Sequence, residues 1–253
     1  MKLIVLAAGQ GTRLRPYTNN KPKCLVQVQG KSILDYQLEA CDRLGIHDQI
    51  VIAGYKQEKI TRKGLKKIIN TRFDQTNMVS SLFCASDFFD DDIIISYGDI
   101  IYSDCVLEKL IDSKYPISVV VDQNWHELWK LRMENPLSDI ESMKIKENLI
   151  VELGRKVSCL EEVEGQYIGL IKVRKEFLSS LMTFYKSLDR SKYYDGNDFD
   201  NMYLTSFIQL VIDTFNNVSP ILIQGEWAEI DSVEDLEAYS KADYINKNIN
   251  SNL

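Results

Sequence analysis

The stretch that most constrains this chain begins at Leu3. Leu3–Ala8 is an unbroken apolar run, and Gly9-Gln10-Gly11 follows at once. A short apolar run closed by glycine reads as a buried strand. Its end lies at the carboxyl edge of a sheet, where open α/β sheets bind ligands. Gly9 and Gly11 permit close backbone approach there. Arg13, Arg15, Lys21 and Lys23 come next, and no acidic residue occurs from Met1 through Gln29. Most charge runs are solvated loops. In a chain of formal charge −7, a basic cluster placed just after strand-end glycines points instead to a bound phosphate.

The loop fits neither common nucleotide motif. A dinucleotide turn wants a third glycine where Leu14 stands, and a P-loop ending in Gly30-Lys31-Ser32 would need glycine at Leu25. The negative total charge, with no basic face, argues against nucleic acid. No apolar run approaches a membrane span, and Lys2 with Leu3–Ala8 is too short for a signal peptide. Five scattered cysteines without a C-x-x-C pair suggest a reduced, cytoplasmic protein. His47 and His126 are the only histidines, which excludes a His-rich zinc site.

Apolar runs alternate with helix-period segments. Strands are expected at Leu3–Ala8, Gln49–Ala53, Lys67–Asn70, Asp92–Gly98 and Ile117–Val121. Ile33, Leu34, Leu38, Cys41 and Leu44 mark one helix face; Met78, Leu82 and Ala85 follow a cap at Thr76–Asn77. Val106, Leu110 and Ile111 belong to another helix. This alternation predicts an α/β fold, a Rossmann-like, mostly parallel twisted sheet flanked by helices. The pattern then changes to a mixed β/α lobe. Met143–Lys146 and Leu149–Leu153 flank a hairpin turn at Glu147–Asn148, and Gln166–Val173 is a further strand. Two amphipathic helices run through Phe177–Leu188 and Leu204–Phe215. Ile221–Ile223 and Trp227–Ile230 read as strands ending at Asp231, and Ser232-x-x-Asp235 opens a last helix. A single domain over 1–245 is expected, with a polar, frayed tail over 246–253.

Leu6-Ala-Ala-Gly-Gln-Gly-Thr-Arg-Leu-Arg-Pro, then Lys21-Pro-Lys-Cys-Leu and Gly30-Lys-Ser-Ile-Leu, resembles the nucleotidyltransferase family that makes nucleoside-diphosphate sugars and CDP-alcohols. The resemblance continues at Ser96-Tyr-Gly-Asp-Ile, Glu164-Gly-Gln-Tyr-Ile-Gly-Leu and Trp227-Ala-Glu-Ile-Asp-Ser, and so covers nearly the whole chain. It implies joining a nucleoside triphosphate to a phosphorylated small molecule with release of pyrophosphate. A phosphate monoester has its second pKa near ~6 and needs no general base at neutral pH. The difficulty is bringing two anions together, which calls for cations, metal and orientation. By resemblance, Leu6, Ala8, Gly9, Gly11, Thr12 and Arg13 hold the nucleotide and its phosphates. Arg13 and Lys23 are the catalytic cations, and Asp99 and Asp231 hold Mg2+, which often takes only one or two carboxylates. Arg15 belongs to the same cationic cluster and is left open between a phosphate contact and plain exposure; Asp104 and Asp122 read as ordinary surface or turn residues.

Phe73-Asp-Gln-Thr-Asn-Met-Val-Ser-Ser-Leu is similar to a base-pocket stretch of cytidylyltransferases, with Asn77 and Ser81 the residues that could read the cytosine amino group. Asp122-Gln-Asn-Trp-His-Glu-Leu-Trp-Lys-Leu-Arg-Met-Glu-Asn-Pro-Leu resembles the small-acceptor cytidylyltransferases of phosphocholine, aminoethylphosphonate and phosphoglutamine, the last from bacterial capsule synthesis. CTP is therefore the favoured nucleotide. Trp129, Arg132 and Glu164 are the acceptor-binding candidates. Against these stand core packing for Trp125 and Trp129 on one helix face, and a structural salt bridge for Arg132 and Glu164. Two further readings remain: a UTP- or dTTP-dependent sugar-1-phosphate enzyme, and a nucleotide-binding regulatory subunit without turnover. The partners expected are small molecules rather than nucleic acid or membrane, and an oligomer is left open.

Overall fold

The computed structural model describes residues 1–133, 135–136 and 140–250. Glu134 and Leu137 of the tryptophan-rich stretch, and 251–253 of the polar tail, lie outside the described residues. In chain order the elements are β1 (Lys2–Ala7), the short hairpin β2 (Gln27–Val28) and β3 (Lys31–Ser32), α1 (Ile33–Arg43), β4 (Asp48–Ala53), β5 (Lys66–Ile69), α2 (Met78–Phe83), β6 (Ile93–Tyr97), β7 (Ile100–Tyr102) and α3 (Asp104–Asp112). Next come β8 (Ile117–Asp122), α4 (Trp125–Arg132), β9 (Glu141–Lys146), β10 (Leu149–Lys156), β11 (Gln166–Val173), α5 (Lys175–Ser187), α6 (Leu204–Phe215) and β12 (Val218–Ile223). The chain closes with β13 (Trp227–Glu229), α7 (Val233–Ala242) and α8 (Tyr244–Asn248). No helix among the described residues is long and apolar enough to cross a membrane.

The main sheet has seven strands in the order β12-β8-β11-β6-β1-β4-β5. It is parallel except for β11, which runs antiparallel to both β6 and β8. β1 lies inside the sheet and is buried along its whole length, which is why its sequence is apolar without alternation. Its side chains still alternate by face. Leu3, Val5 and Ala7 join the core beneath α1, α3, α4, α7 and α8, whereas Ile4 and Leu6 join the core beneath α2, α5 and α6. Hydrophobic contact on both faces fixes the register of the strand that delivers the glycine loop.

Local signals hold where they rest on turn and cap chemistry. Glu147 and Asn148 both take positive φ between β9 and β10, as a two-residue hairpin with right-handed strands requires. Ser232 and Asp235 form a reciprocal capping box at α7. The P-loop look-alike resolves into structure of another kind: Gln29 and Gly30 make the β2–β3 turn, and Ser32 caps α1 by accepting from the Asp35 amide.

Two expectations are corrected. Residues from Asn246 do not fray at once: α8 runs through Asn248, with Ile245 and Ile249 buried against the core. The apolar positions four apart outweigh the polar composition around them. Asp122 is not a surface turn residue but is fully buried. One of its carboxylate oxygens accepts from the amides of Asn124 and Gly225, each at 2.8 Å, and the other from Trp227 Nε1 at 2.8 Å. Asp104 is where the sequence puts it, near the surface in a forked pair with Arg43.

Candidate active site

The glycine loop leaves β1 at the carboxyl edge of the sheet. The Ala8 carbonyl accepts from the Tyr55 amide at 3.0 Å, and the Gly11 carbonyl from Leu14 N at 3.1 Å and Thr18 Oγ1 at 2.7 Å. These bonds hold residues 8–13 along the wall of a cavity of about 290 Å3. Gly11 has φ +61, and a Cβ there would stand 2.9 Å from Cβ of Lys23. Glycine is required both by the left-handed turn and by the lysine stem passing beneath it.

Opposite the loop, β6 ends at Gly98-Asp99. Gln37 on α1 donates to the carbonyls of Tyr97 and Ile100, which fixes the turn from either side. β13 pairs antiparallel with β7, Glu229 facing Ile100, and the Ile230 amide then donates to the Asp99 carbonyl at 2.8 Å. This pairing sets Asp231 beside Asp99. Lys23 Nζ lies 2.7 Å from Asp99 Oδ2 and 2.5 Å from Asp231 Oδ1, and Arg13 Nη1 lies 2.5 Å from Asp231 Oδ2. Burial works against the Lys23 charge. The carboxylates of Asp99, Asp231 and Glu229 outweigh it and hold the ammonium above the ordinary lysine range.

All the predicted nucleotide and metal residues line this one cavity: Leu6, Ala8, Gly9, Gly11, Thr12, Arg13, Lys23, Asn77, Ser81, Asp99 and Asp231. Arg15 does not line it. Asn77 also caps α2, its Oδ1 accepting from the Met78 amide, and Ser81 Oγ accepts from Asn70 Nδ2 at 2.9 Å. Asp99 Oδ1 is buried without a partner. No cluster of three or more His, Cys, Asp or Glu side chains able to hold a metal occurs among the described residues. Two carboxylates facing a phosphate cradle suit Mg2+, which completes its shell with phosphate oxygens and water.

A second cavity, of about 280 Å3, adjoins the first and shares Asn77 and Met78 with it. Of the acceptor candidates only Trp129 lines it. Arg132 is nearly inaccessible, at 3% side-chain exposure; its Nε and Nη2 donate to Asp235 and its Nη1 to Glu229. Asp235 in turn accepts from the amides of Asp231 and Ser232. Arg132 therefore stands behind the site, bracing the turn that carries Asp231. Glu164 is exposed and accepts from the Ile145 amide at 2.9 Å, on the hairpin lobe rather than in the cavity. The two do not pair with each other. Trp125 and Trp129 pack edge to face at 6.2 Å, so the core role of this pair is real, and Trp129 also lines the second cavity.

Sequence reasoning passed over Glu229, Trp227, Glu141 and Gln166, which line the second cavity. For Glu229 a signal existed. Trp227, Glu229 and Asp231 alternate along one strand, so two acids share the face that meets the site. Burial pushes the Glu229 carboxyl up against the opposing pull of Arg132.

Residues 3–182 match the family described as MobA-like NTP transferase domain. CTP:phosphoglutamine cytidylyltransferase of Campylobacter jejuni is 44% identical over 250 residues, covering 94% of this chain and 98% of that protein. Choline-phosphate cytidylyltransferase of Streptococcus pneumoniae is 35% identical over 119 residues, 46% of this chain and 52% of that protein. The solved inositol-1-phosphate CTP transferase from T. maritima superposes with a TM-score of 0.70 at 22% identity, covering 98% of this chain and 97% of that one. The solved CTP:phosphocholine cytidylyltransferase from Streptococcus pneumoniae gives 0.69 at 22% identity, covering 96% and 98%. These two superpositions match the fold, and the sequence relationships carry the rest. With the glycine loop, its lysine and both strand-end aspartates in one cleft, the chain belongs to the MobA-like NTP transferase family and is a nucleotidyltransferase.

Proposed function

We propose that this enzyme transfers the cytidylyl group of CTP to phosphoglutamine or a close relative, giving a CDP-conjugate and pyrophosphate. The observation that carries this reading is the meeting of Lys23 with Asp99 and Asp231 in one cavity, with a second cavity of matching size adjoining it at Asn77 and Met78. One cavity suits a nucleotide and the other a small phosphorylated acceptor. The 44% identity to a phosphoglutamine enzyme, sustained over nearly the whole chain, supports the choice of substrates.

In the reaction an oxygen of the acceptor phosphate forms a bond to the α-phosphorus of CTP. The bond from that phosphorus to the bridging oxygen breaks, and pyrophosphate leaves with the electron pair. The acceptor is already mostly dianionic near neutral pH, so no side chain removes a proton. Lys23 sits where its ammonium meets both phosphates, and Arg13 draws charge from the triphosphate. Asp99 and Asp231 would hold Mg2+, which would supply the remaining counter-charge. Asn77 and Ser81 are the residues proposed to read the cytosine. The five cysteines are all unpaired, which suits a reducing compartment such as the cytoplasm.

The test is pyrophosphate release with magnesium, run with CTP, UTP and dTTP against phosphoglutamine, phosphocholine, aminoethylphosphonate and sugar 1-phosphates. Turnover with CTP and phosphoglutamine is expected. Preference for UTP or dTTP with a sugar phosphate would overturn the reading. Binding of CTP without turnover of any acceptor would replace it with a regulatory role.

A further inference from the structure

The second cavity has a chemistry of its own. Its walls bring together Glu141 from β9, Glu229 from β13 and Gln166 from β11, among the rings of Trp129, Tyr167 and Trp227. No Lys, Arg or His is among the described residues that line it. Arg132, which pairs with the lining residue Glu229, spends its remaining donors on Asp235. The charged side chains among the described lining residues are thus the acids Glu141 and Glu229. Burial raises the hydroxyl pKa values of Tyr97 and Tyr167, and the Glu141 charge adds to both.

Three buried polar atoms in the lining residues lack partners: Gln166 Oε1, Trp129 Nε1 and the Tyr167 hydroxyl. Gln166 is 8% exposed and Trp129 2%. Gln166 spends its amide on the Tyr167 carbonyl and leaves Oε1 unpartnered, and Trp129 Nε1 has no acceptor. Unpaired buried groups of this kind cost free energy unless something satisfies them. An unspent acceptor in a cavity that carboxylates also line matches a donor cation. One unspent donor matches an oxygen on the same molecule.

The type of cation follows from the unspent acceptor more than from the rings, since Tyr97, Tyr167, Tyr203 and Trp227 also line the cavity. Trp129 already carries the Arg132 guanidinium 5.0 Å from its centroid, with Trp227 at 5.9 Å and Trp125 at 6.2 Å. Its ring is thus largely taken up within the fold. A quaternary ammonium depends on aromatic faces and has no N–H to give. A primary ammonium can donate to both Glu141 and Gln166 Oε1. We propose that Glu141, seconded by Gln166, determines acceptor specificity by binding a primary ammonium on the phosphorylated acceptor, in preference to a quaternary one. The inference rests on the reading that this cavity takes the acceptor.

The experiment compares KM and kcat for phosphoglutamine, the same phosphorylated acceptor lacking its amino group, and phosphocholine, using CTP and magnesium. Wild-type enzyme is expected to favour the amino-bearing acceptor. Glu141→Gln should raise KM for that acceptor by about ten- to a hundredfold, the loss of one charged hydrogen bond. Its kcat should stay within about twofold, and its KM for CTP and for the des-amino acceptor should not change. If KM for CTP also rises, the hairpin has been disturbed. Gln166→Met, which removes the unpartnered oxygen from a different strand, then carries the same comparison. Equal KM values for amino-bearing and des-amino acceptors in the wild type would overturn the inference. So would an unchanged KM in the informative variant, or a preference for phosphocholine over the amine. If the wild type turns over no phosphorylated acceptor at all, it is the functional reading that fails.

Discussion

The amide of Ile230 donates to the carbonyl of Asp99 at 2.8 Å, and this one backbone bond closes the gap between the two acids of the site. It extends the β7–β13 pairing by a step, so that Asp231 emerges beside Asp99 and both reach Lys23. The site is assembled from the loop after β1, the turn after β6 and the turn after β13, with a lysine as the common counter-ion.

On the proposed mechanism the two carboxylates act through a metal and phosphates rather than through packing, so Asp99→Asn and Asp231→Asn are each expected to keep the fold. Each should lower kcat by about two to three orders of magnitude. Pyrophosphate release at saturating magnesium, with circular dichroism as the fold control, checks this. Chelation of magnesium should silence the wild type to the same degree. Full activity in either variant removes that residue from the metal site.

Gly11→Ala puts a methyl group 2.9 Å from the Lys23 stem and forces a side chain into φ +61. Backbone strain of about 1–3 kcal/mol is expected, relieved in part by displacing Lys23 from Asp99. The thermal midpoint should fall, and kcat/KM for CTP should drop at least about tenfold. A variant with wild-type kinetics would show that Lys23 does not depend on this close approach.

Arg132→Met removes the partner of two carboxylates, one of them 4% exposed. Loss of one member of a buried pair costs about 3–5 kcal/mol. We expect the lower end, because the Glu229 side chain is 26% exposed and can relax toward water. Arg132→Lys should restore little, since an ammonium cannot reproduce the fork to Asp235. Denaturant unfolding reads both. A stability unchanged in Arg132→Met would mean the brace behind Asp231 is unnecessary.

Burial raises the Asp122 carboxyl pKa, and the donors from Trp227, Asn124 and Gly225 pull it back. A carboxyl whose pKa is higher folded than unfolded gives stability that is present below its unfolded value and is lost as pH rises through the folded one. Trp227→Phe deletes one opposing donor, raises the folded pKa further and widens that window. The variant should therefore be destabilised more near pH 7 than near pH 4, by about 1–2 kcal/mol in the difference. Urea midpoints at the two pH values measure it. An equal loss at both would make the effect one of ring volume alone.

How much of this was legible in the sequence depends on the range of each interaction. β1, its glycine loop, the β9–β10 turn and the α7 capping box are written in neighbouring residues, and each is found in place. The antiparallel insertion of β11 between β6 and β8 is not local: the three strands share the same apolar character whichever way they run. Arg132 looked like a ligand-binding cation because its partners, Glu229 and Asp235, lie about a hundred residues away. Glu164 looked equally suited, and its carboxylate is taken by the Ile145 amide of the hairpin. Asn77 and Ser81 were legible as a capped helix start, and whether they also read a base is a property of the cavity they line.

β13 is only three residues long, yet its backbone is tied from outside. Tyr239 donates to the Glu229 carbonyl at 2.8 Å and Tyr244 to the Trp227 carbonyl at 3.1 Å. α7 and α8 thus act as a splint on the strand that aims Asp231. Two tyrosines that line neither cavity of the cleft therefore help to aim one of its reacting side chains. Trimming the chain back to the last acid of the site would keep every reacting group and still let the aim drift.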